Sequence, residues 1–272
     1  MTNLSTLFPI HQDATAQQWD VKSGKTAYIP AGKVTGNGYF PGMMKFDGST
    51  GFYNRLDVTT AGNIVGHASL FNCAPKAGVS QNILRVTGPN ITGLQCGVMV
   101  FASDSADTGA RNKLRFFANS SSAFLVDVIS SVEVANSEDH YVVVTFNTAT
   151  AALSLRIDGI AHDDVTWTNR VPPITGTLNT GANCAVSVGT SGGGSQLFDG
   201  SIGQLGFANA SINWSNFMHP DGTPKPLDET IWTQWGGVQP LFWHEAGKMD
   251  ENKGSAGAMT KNGTITLASA LA

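Results

Sequence analysis

Gly189-Thr-Ser-Gly-Gly193 spells G-x-S-x-G, the pattern in which a serine sits on a sharp strand-to-helix turn and attacks a carbonyl. Gly192, Gly193 and Gly194 continue the segment, and Gln196-Leu-Phe-Asp-Gly200 then reads as another strand. The sequence therefore predicts a flexible hairpin loop there and withholds the helix that the chemistry needs. The six histidines, at 11, 67, 140, 162, 219 and 244, show no H-x-x-x-H or similar pairing, so no zinc site is indicated. Cys73, Cys96 and Cys184 are far apart, form no C-x-x-C pair and sit beside apolar or small residues, which predicts three buried free thiols made in a reducing cytoplasm. Aromatic rings are the remaining chemistry, because the face of a pyranose stacks on an indole or phenol. Trp167, in Val165-Thr-Trp-Thr168, is either an outward sugar platform or a contact on its own domain. Trp214, Trp232, Trp235 and Trp243 cluster beyond residue 212 and are candidates for docking that stretch onto its own domain or onto a neighbouring subunit.

The elements that would position these residues are short strands. Phe52–Val58, Asn63–Phe71, Asn82–Thr87, Gly97–Phe101, Lys113–Phe117 and Ala123–Ile129 are apolar runs bounded by Gly, Pro, Asn or Ser. Tyr141–Phe146 and Leu153–Gly159 form the clearest hairpin, with a turn at Asn147–Thr150. In its second arm Leu153, Leu155 and Ile157 face one way and Ser154, Arg156 and Asp158 the other, the period of a sheet covering a core. Residues 1–40, interrupted by Pro9, Gly24, Pro30, Gly32, Gly36 and Gly38, read as an irregular arm. The one helix expected is Leu227–Trp235, with Asp228 as its cap and Gly236-Gly237 as its end.

Composition narrows the function classes. Only 13% of the 272 residues are charged, against roughly a quarter in an average soluble domain, and the net charge of −4 argues against a nucleic-acid partner. Hydrophobic residues make up 41%, enough for a sizeable core. No run of 18 apolar residues predicts membrane insertion, and the opening Met1–Ile10 lacks the basic start and continuous apolar stretch of a secretory signal.

Three segments carry a family resemblance. Met44-Lys-Phe-Asp-Gly-Ser-Thr-Gly-Phe-Tyr53 resembles the opening F-D-G-S strand pair of laminin-G-like, concanavalin-A-like jelly rolls. His140–Phe146 followed by Leu153–Gly159 is similar to their central hairpin, and Phe198-Asp-Gly-Ser-Ile202 through Asn209 to their closing strand. The resemblance implies an all-β fold, a two-sheet antiparallel jelly-roll sandwich over residues 41–212. An N-terminal arm (1–40) and a Trp-rich C-terminal extension (213–272) flank it. A narrower resemblance, in Gln239–His244 and Asn252–Thr264, is to the C-terminal tail of laminin-G-like virion proteins of tailed bacteriophages.

What these resemblances imply is an adhesive protein. Glycosidases of the wider superfamily place their acids as E-x-D-x-E on one strand, whereas the five glutamates here, Glu133, Glu138, Glu229, Glu245 and Glu251, begin no such run, so no enzyme is expected. Family members often hold calcium at a loop rim, for which the oxygens of Asp104, Asp107, Asp163 and Asp164 are the candidates; ordinary turn chemistry is the competing use of those acids. No other cofactor is expected. The first functional expectation is a structural protein of a phage particle, decorating the capsid or forming a head fibre, in contact with copies of itself and other virion proteins. The alternative is a module that binds a host-surface glycan through rim loops 103–112 and 189–196.

Overall fold

The computed structural model describes residues 26–29, 32–35, 43–161, 168–217, 238–243, 252 and 254–268. Strands β1 (Thr26–Ile29) and β2 (Gly32–Thr35) form a hairpin that joins neither of the two large sheets. The rest is a sandwich of two antiparallel eight-stranded sheets. Its strands are β3 (Met43–Asp47), β4 (Phe52–Val58), β5 (Ile64–Cys73), β6 (Gln81–Thr87), β7 (Leu94–Val100), β8 (Lys113–Asn119) and β9 (Phe124–Glu133). They continue with β10 (Asp139–Asn147), β11 (Ala152–Ile157), β12 (Ile160–Ala161), β13 (Thr168–Val171), β14 (Cys184–Val188) and β15 (Asp199–Asn209). The last three are β16 (Val238–Trp243), β17 (Thr260–Asn262) and β18 (Ile265–Ala268). The first sheet runs β12-β11-β10-β5-β15-β3-β18, with β16 on the far end of β15, and the second runs β13-β9-β8-β7-β6-β14-β4-β17. Among the described residues there is no α-helix, only two single 3₁₀ turns. This is the expected two-sheet jelly roll.

Alternation explains why the sheets stack. Val142, Val144 and Phe146 of β10 face Leu114, Phe116, Val126 and Val128 of the opposite sheet across one buried core. Burying such side chains contributes about 1.5–3 kcal/mol each. The two F-D-G segments meet in this core: Asp47 stands opposite Asp199 and Phe46 opposite Gly200, and the Phe46 and Phe198 rings pack edge to face at 6.0 Å. Asp47 also closes the turn after β3, accepting the backbone N–H groups of Ser49, Thr50 and Gly51 at 3.0, 2.8 and 2.8 Å.

Two differences from the sequence expectations have physical causes. The arm contains the β1–β2 hairpin, whose four-residue strands are too short to show a period. Three strands, β16, β17 and β18, come from the C-terminal stretch read as an extension, and they pair with β15, β4 and β3 far back in the chain. The expected helix at 227–235 lies outside the described residues.

Candidate functional site

A sandwich offers ligands two outer faces and its rim loops. The outer face of the first sheet is occupied by the chain itself. Ala68, Leu70, Tyr141, Val143 and Ala208 form a second apolar cluster there, closed by Ala210, Ile212 and Phe217 with Trp214 packed against it. Thr145 donates its hydroxyl to the Ile212 carbonyl at 3.0 Å, and the Arg156 guanidinium stacks 3.9 Å from the centre of the Trp214 ring. Trp214 thus packs against its own domain.

The outer face of the second sheet carries charge and aromatic rings. Its strands put one residue in two into the core: Val186 and Val188, Leu84 and Val86, Cys96 and Val98, Phe116 and Ala118, Val126 and Val128. The residues between them, Ser187, Arg85, Gly97, Phe117 and Asp127, point outward and stand opposite one another across five neighbouring strands. Arg115, one outward position along β8, pairs with Asp127 through Nε to Oδ1 at 2.7 Å and Nη2 to Oδ2 at 2.9 Å. Its guanidinium lies 4.9, 5.4 and 5.9 Å from the ring centres of Phe117, Phe124 and Phe101. Phe117 and Phe124 meet edge to face at 6.0 Å.

Two further arginines edge this cluster. Arg170, on the sheet-edge strand β13, brings Nε only to 3.8 Å from Asp127 Oδ2 and keeps 41% of its side chain exposed. Arg85 is half-buried, its Nε is sealed from solvent with no hydrogen-bond acceptor, and burial lowers its pKa from the usual arginine value. Between Arg85 and Phe117 the face is closed: Gly97 is buried and Phe117 is 3% exposed. A Cβ at Gly97 would sit 2.5 Å from Phe117 Cζ, so the phenyl ring lies directly over the glycine.

The rim loops hold polar groups already in use. Asp104 accepts the Gly78 N–H at 2.8 Å, and Asp107 is exposed on the same loop, its carbonyl accepting the Ala110 N–H at 3.0 Å. Among the described residues no group of three or more His, Cys, Asp or Glu side chains is placed to hold a metal ion. Asp163, Asp164 and Trp167 lie outside the described residues, as do Trp232, Trp235 and the Trp243 side chain. Loop 189–198 is no hairpin: it crosses from β14 in the second sheet to β15 in the first, and no helix follows Ser191. Its hydroxyl sits 2.6 Å from that of Ser195, with Gly189, Gly192, Gly193 and Gly194 all at positive φ.

The two described histidines and the three thiols are structural. His67 and Ser69 touch at 3.0 Å, a base beside a hydroxyl, yet both are fully buried and burial pushes His67 down to about 3. His140 bridges Asp158 at 2.7 Å and Asn136 at 3.0 Å, bracing the hairpin end against the preceding loop. Cys73, Cys96 and Cys184 are free and buried, and burial, with Asp199 nearby, pushes the Cys73 thiol up to about 12. Sequence reasoning looked for sites in loops and tryptophans and passed over Arg85, Arg115, Phe117, Asp127 and Arg170. The available signal was the alternation Leu114-Arg-Phe-Phe-Ala118, which sends an arginine and a phenylalanine away from the core.

Known structures share this architecture. A heptameric SAP-like pentraxin from Limulus polyphemus aligns over 83% of this chain and 93% of its own, at 10% identity and a TM-score of 0.52. A Bacteroides ovatus protein, whose carbohydrate-binding role is itself a proposal, aligns over 82% of this chain at 11% identity and a TM-score of 0.53; the match spans 60% of that protein's length. Domains LG4-5 of the mouse laminin alpha1 chain align over 61% of this chain and 40% of theirs, at 12% identity and a TM-score of 0.40. No protein-family model matches the sequence, and no curated protein matches it. The likeness is one of fold alone: a two-sheet antiparallel jelly roll. No helix among the described residues is long and apolar enough to cross a membrane.

Proposed function

We propose that the chain is a non-enzymatic glycan-binding module that works in adhesion, and that its ligand lies on the outer face of the second sheet. The observation that carries this reading is the cluster on β8, β9 and the edge strand β13, where the half-buried rings of Phe101 and Phe124 are flanked by the guanidinium groups of Arg115 and the exposed Arg170. Sugars are held by such a combination of ring stacking and directional polar groups. The likeness in fold to the Bacteroides protein supports the same reading by analogy alone. Binding without turnover fits the acids of the face, since Asp127 is held in a two-point pair with Arg115 and is not free to move a proton. A glycan array, run with and without EDTA, tests the proposal. Sugar binding that survives EDTA supports the sheet face, binding lost with EDTA points to a calcium rim around Asp104 and Asp107, and silence on the array contradicts the module.

A second reading has one observation in its favour. The β1–β2 hairpin pairs with neither large sheet, and a two-stranded hairpin is marginal in water without a surface to pack on. In the phage particle that the tail of the sequence suggests, such an arm would pair with a neighbouring copy or another virion protein, and the chain would be a capsid-decorating or head-fibre component. Sizing the full chain in solution and deleting residues 1–40 separates the readings: an oligomer that dissolves on deletion favours assembly, a monomer favours glycan binding.

A further inference from the structure

We infer that the end of the sandwich built from loops 59–63, 88–93, 120–123, 148–151 and 172–183 is a docking surface for a second copy of this chain, met end to end about a twofold axis. The inference makes no use of the Phe101–Arg170 cluster and stands whether or not that cluster holds a sugar. Composition is the first support. These five loops contain no Asp, Glu, Lys, Arg or His, although 13% of the chain is charged. They consist mainly of Thr, Ser, Asn, Gly, Ala and Pro, with Ile91 and Ile174 left 50% and 45% exposed. The nearest charges along the chain, Asp57 and Arg170, are of opposite sign. The loops at the other end hold Lys76, Asp104, Asp107, Arg111, Glu138 and Asp158.

That asymmetry points to the partner. A surface without charge gives no electrostatic hold to a polyanion, a polycation or an anionic membrane. It suits a surface equally free of charge, and the same end of another copy is one. Two chains of net charge −4 repel, and contact through this end keeps their charged ends farthest apart. Strands of about seven residues at ~3.3 Å each separate the two ends by roughly 20 Å, well beyond the ~8 Å Debye length. Near a twofold axis a residue meets its own copy. Hydroxyls and amides both donate and accept, so Thr, Ser and Asn pair with themselves where Lys or Glu would repel.

Rigidity is the second support. The Thr60 N–H donates to the Gly181 carbonyl at 2.8 Å, the Thr148 N–H to Asn63 at 2.8 Å and the Gly176 N–H to Thr148 at 2.9 Å. Asn90 and Ile91 donate to the carbonyls of Ala182 and Asn183 at 3.4 and 3.2 Å. The loops are thus stitched into one plate, which lowers the cost of ordering them on contact. The same bonds hold Ile91 at a φ of 59°, a left-handed region that β-branched residues rarely enter, with its side chain half in solvent. Strain fixed in this way gathers at functional surfaces. Size agrees as well. The six spacings from β13 to β4, at ~4.8 Å, and two layers ~10 Å apart give the end roughly 600 Å² in plan, on the order of the ~800 Å² per partner of a stable interface.

The test is sedimentation equilibrium of the full chain at about 50 and about 500 mM salt. A dimer with a micromolar dissociation constant is expected, changed less than about threefold by salt, since no ion pair holds it. Ile91→Gly relieves the left-handed φ, so it is expected to weaken the dimer about tenfold while the unfolding temperature stays equal or rises. Thr177→Glu, on an exposed loop, sets like charges face to face and is expected to weaken it about tenfold at low salt, with part of the loss recovered at high salt. A dimer indifferent to both substitutions, or one that salt dissolves, overturns the inference. A dimer lost only on removal of residues 1–40 belongs to the arm and overturns it too. A monomer at every concentration also overturns it; Ile91 and Thr177 amide shifts on adding phosphatidylcholine vesicles or chitotriose would then give this end another occupant. The glycan reading is decided separately, by the array.

Discussion

Arg115 and Asp127 sit diagonally across strands β8 and β9 and join by two hydrogen bonds, at 2.7 and 2.9 Å, inside a wall of three phenylalanine rings. Asp127 is 5% exposed and Arg115 17%, so neither charge is well solvated. Removing one partner strands the other. Asp127→Ala is expected to cost about 3 kcal/mol in urea unfolding. The double variant Arg115→Met, Asp127→Leu is expected to recover most of that loss, because well-packed apolar residues replace a buried pair at little net cost. Equal destabilisation by single and double variants would show that the pair contributes no more than its packing.

Gly97 makes room for the buried Phe117 ring. Gly97→Ala places a methyl 2.5 Å from Phe117 Cζ and 2.8 Å from its Cε1, so the ring must turn away from the face. Overpacking of this kind costs about 1–3 kcal/mol. The loss is expected in urea unfolding, and a variant as stable as the parent would contradict the placement of the ring over Gly97.

Asp47 ties acid stability to one turn. Its slight burial raises the carboxyl pKa, but the Thr50 hydroxyl and the backbone N–H groups of Thr50, Gly51 and Ser49 outweigh that and hold it well below the usual carboxylate range. A depressed folded-state pKa contributes stability that is full above the unfolded value near 4 and drains as pH falls toward the folded one. Asp47→Ala is expected to cost about 1–2 kcal/mol at pH 7. The gap to the parent should narrow in urea titrations from pH 5 to pH 2, and a constant gap contradicts the assignment.

Trp214 roofs the first sheet. Its stacking on Arg156 at 3.9 Å and its packing on the Tyr141–Val143 cluster predict that Trp214→Ala exposes apolar surface and binds a hydrophobic dye. An unchanged dye signal would mean the cluster stays covered without it.

The three thiols give a simple check on burial. Cys73, Cys96 and Cys184 are each at most 1% exposed, so a thiol reagent at pH 8 should label none in the native chain and all three in denaturant. Fast labelling of any one contradicts the packing described.

The fold was largely legible because its signals are local. Phe52–Val58 is bounded in the structure as the alternation predicts, and the Tyr141–Phe146 hairpin turns at Asn147–Thr150. The F-D-G segments read as strand ends for a reason now visible: Asp47 caps a turn, and a Cβ at Gly200 would strike the Asn72 carbonyl at 2.1 Å. Strands β16 to β18 were not legible, since three to six residues pairing with partners some 30 to 225 positions away leave no period to count. The candidate site escaped for a related reason. It takes one outward residue from each of several strands, so its members are neighbours across the sheet and strangers along the chain.

The most direct test of the glycan-binding face is backbone NMR of the isotope-labelled chain titrated with the best ligand from the array. Amide shifts are expected to move at Arg115, Phe124 and Arg170 and to stay still in the 103–112 and 189–196 loops. Shifts confined to those loops, or no shifts with any saccharide, would contradict the account.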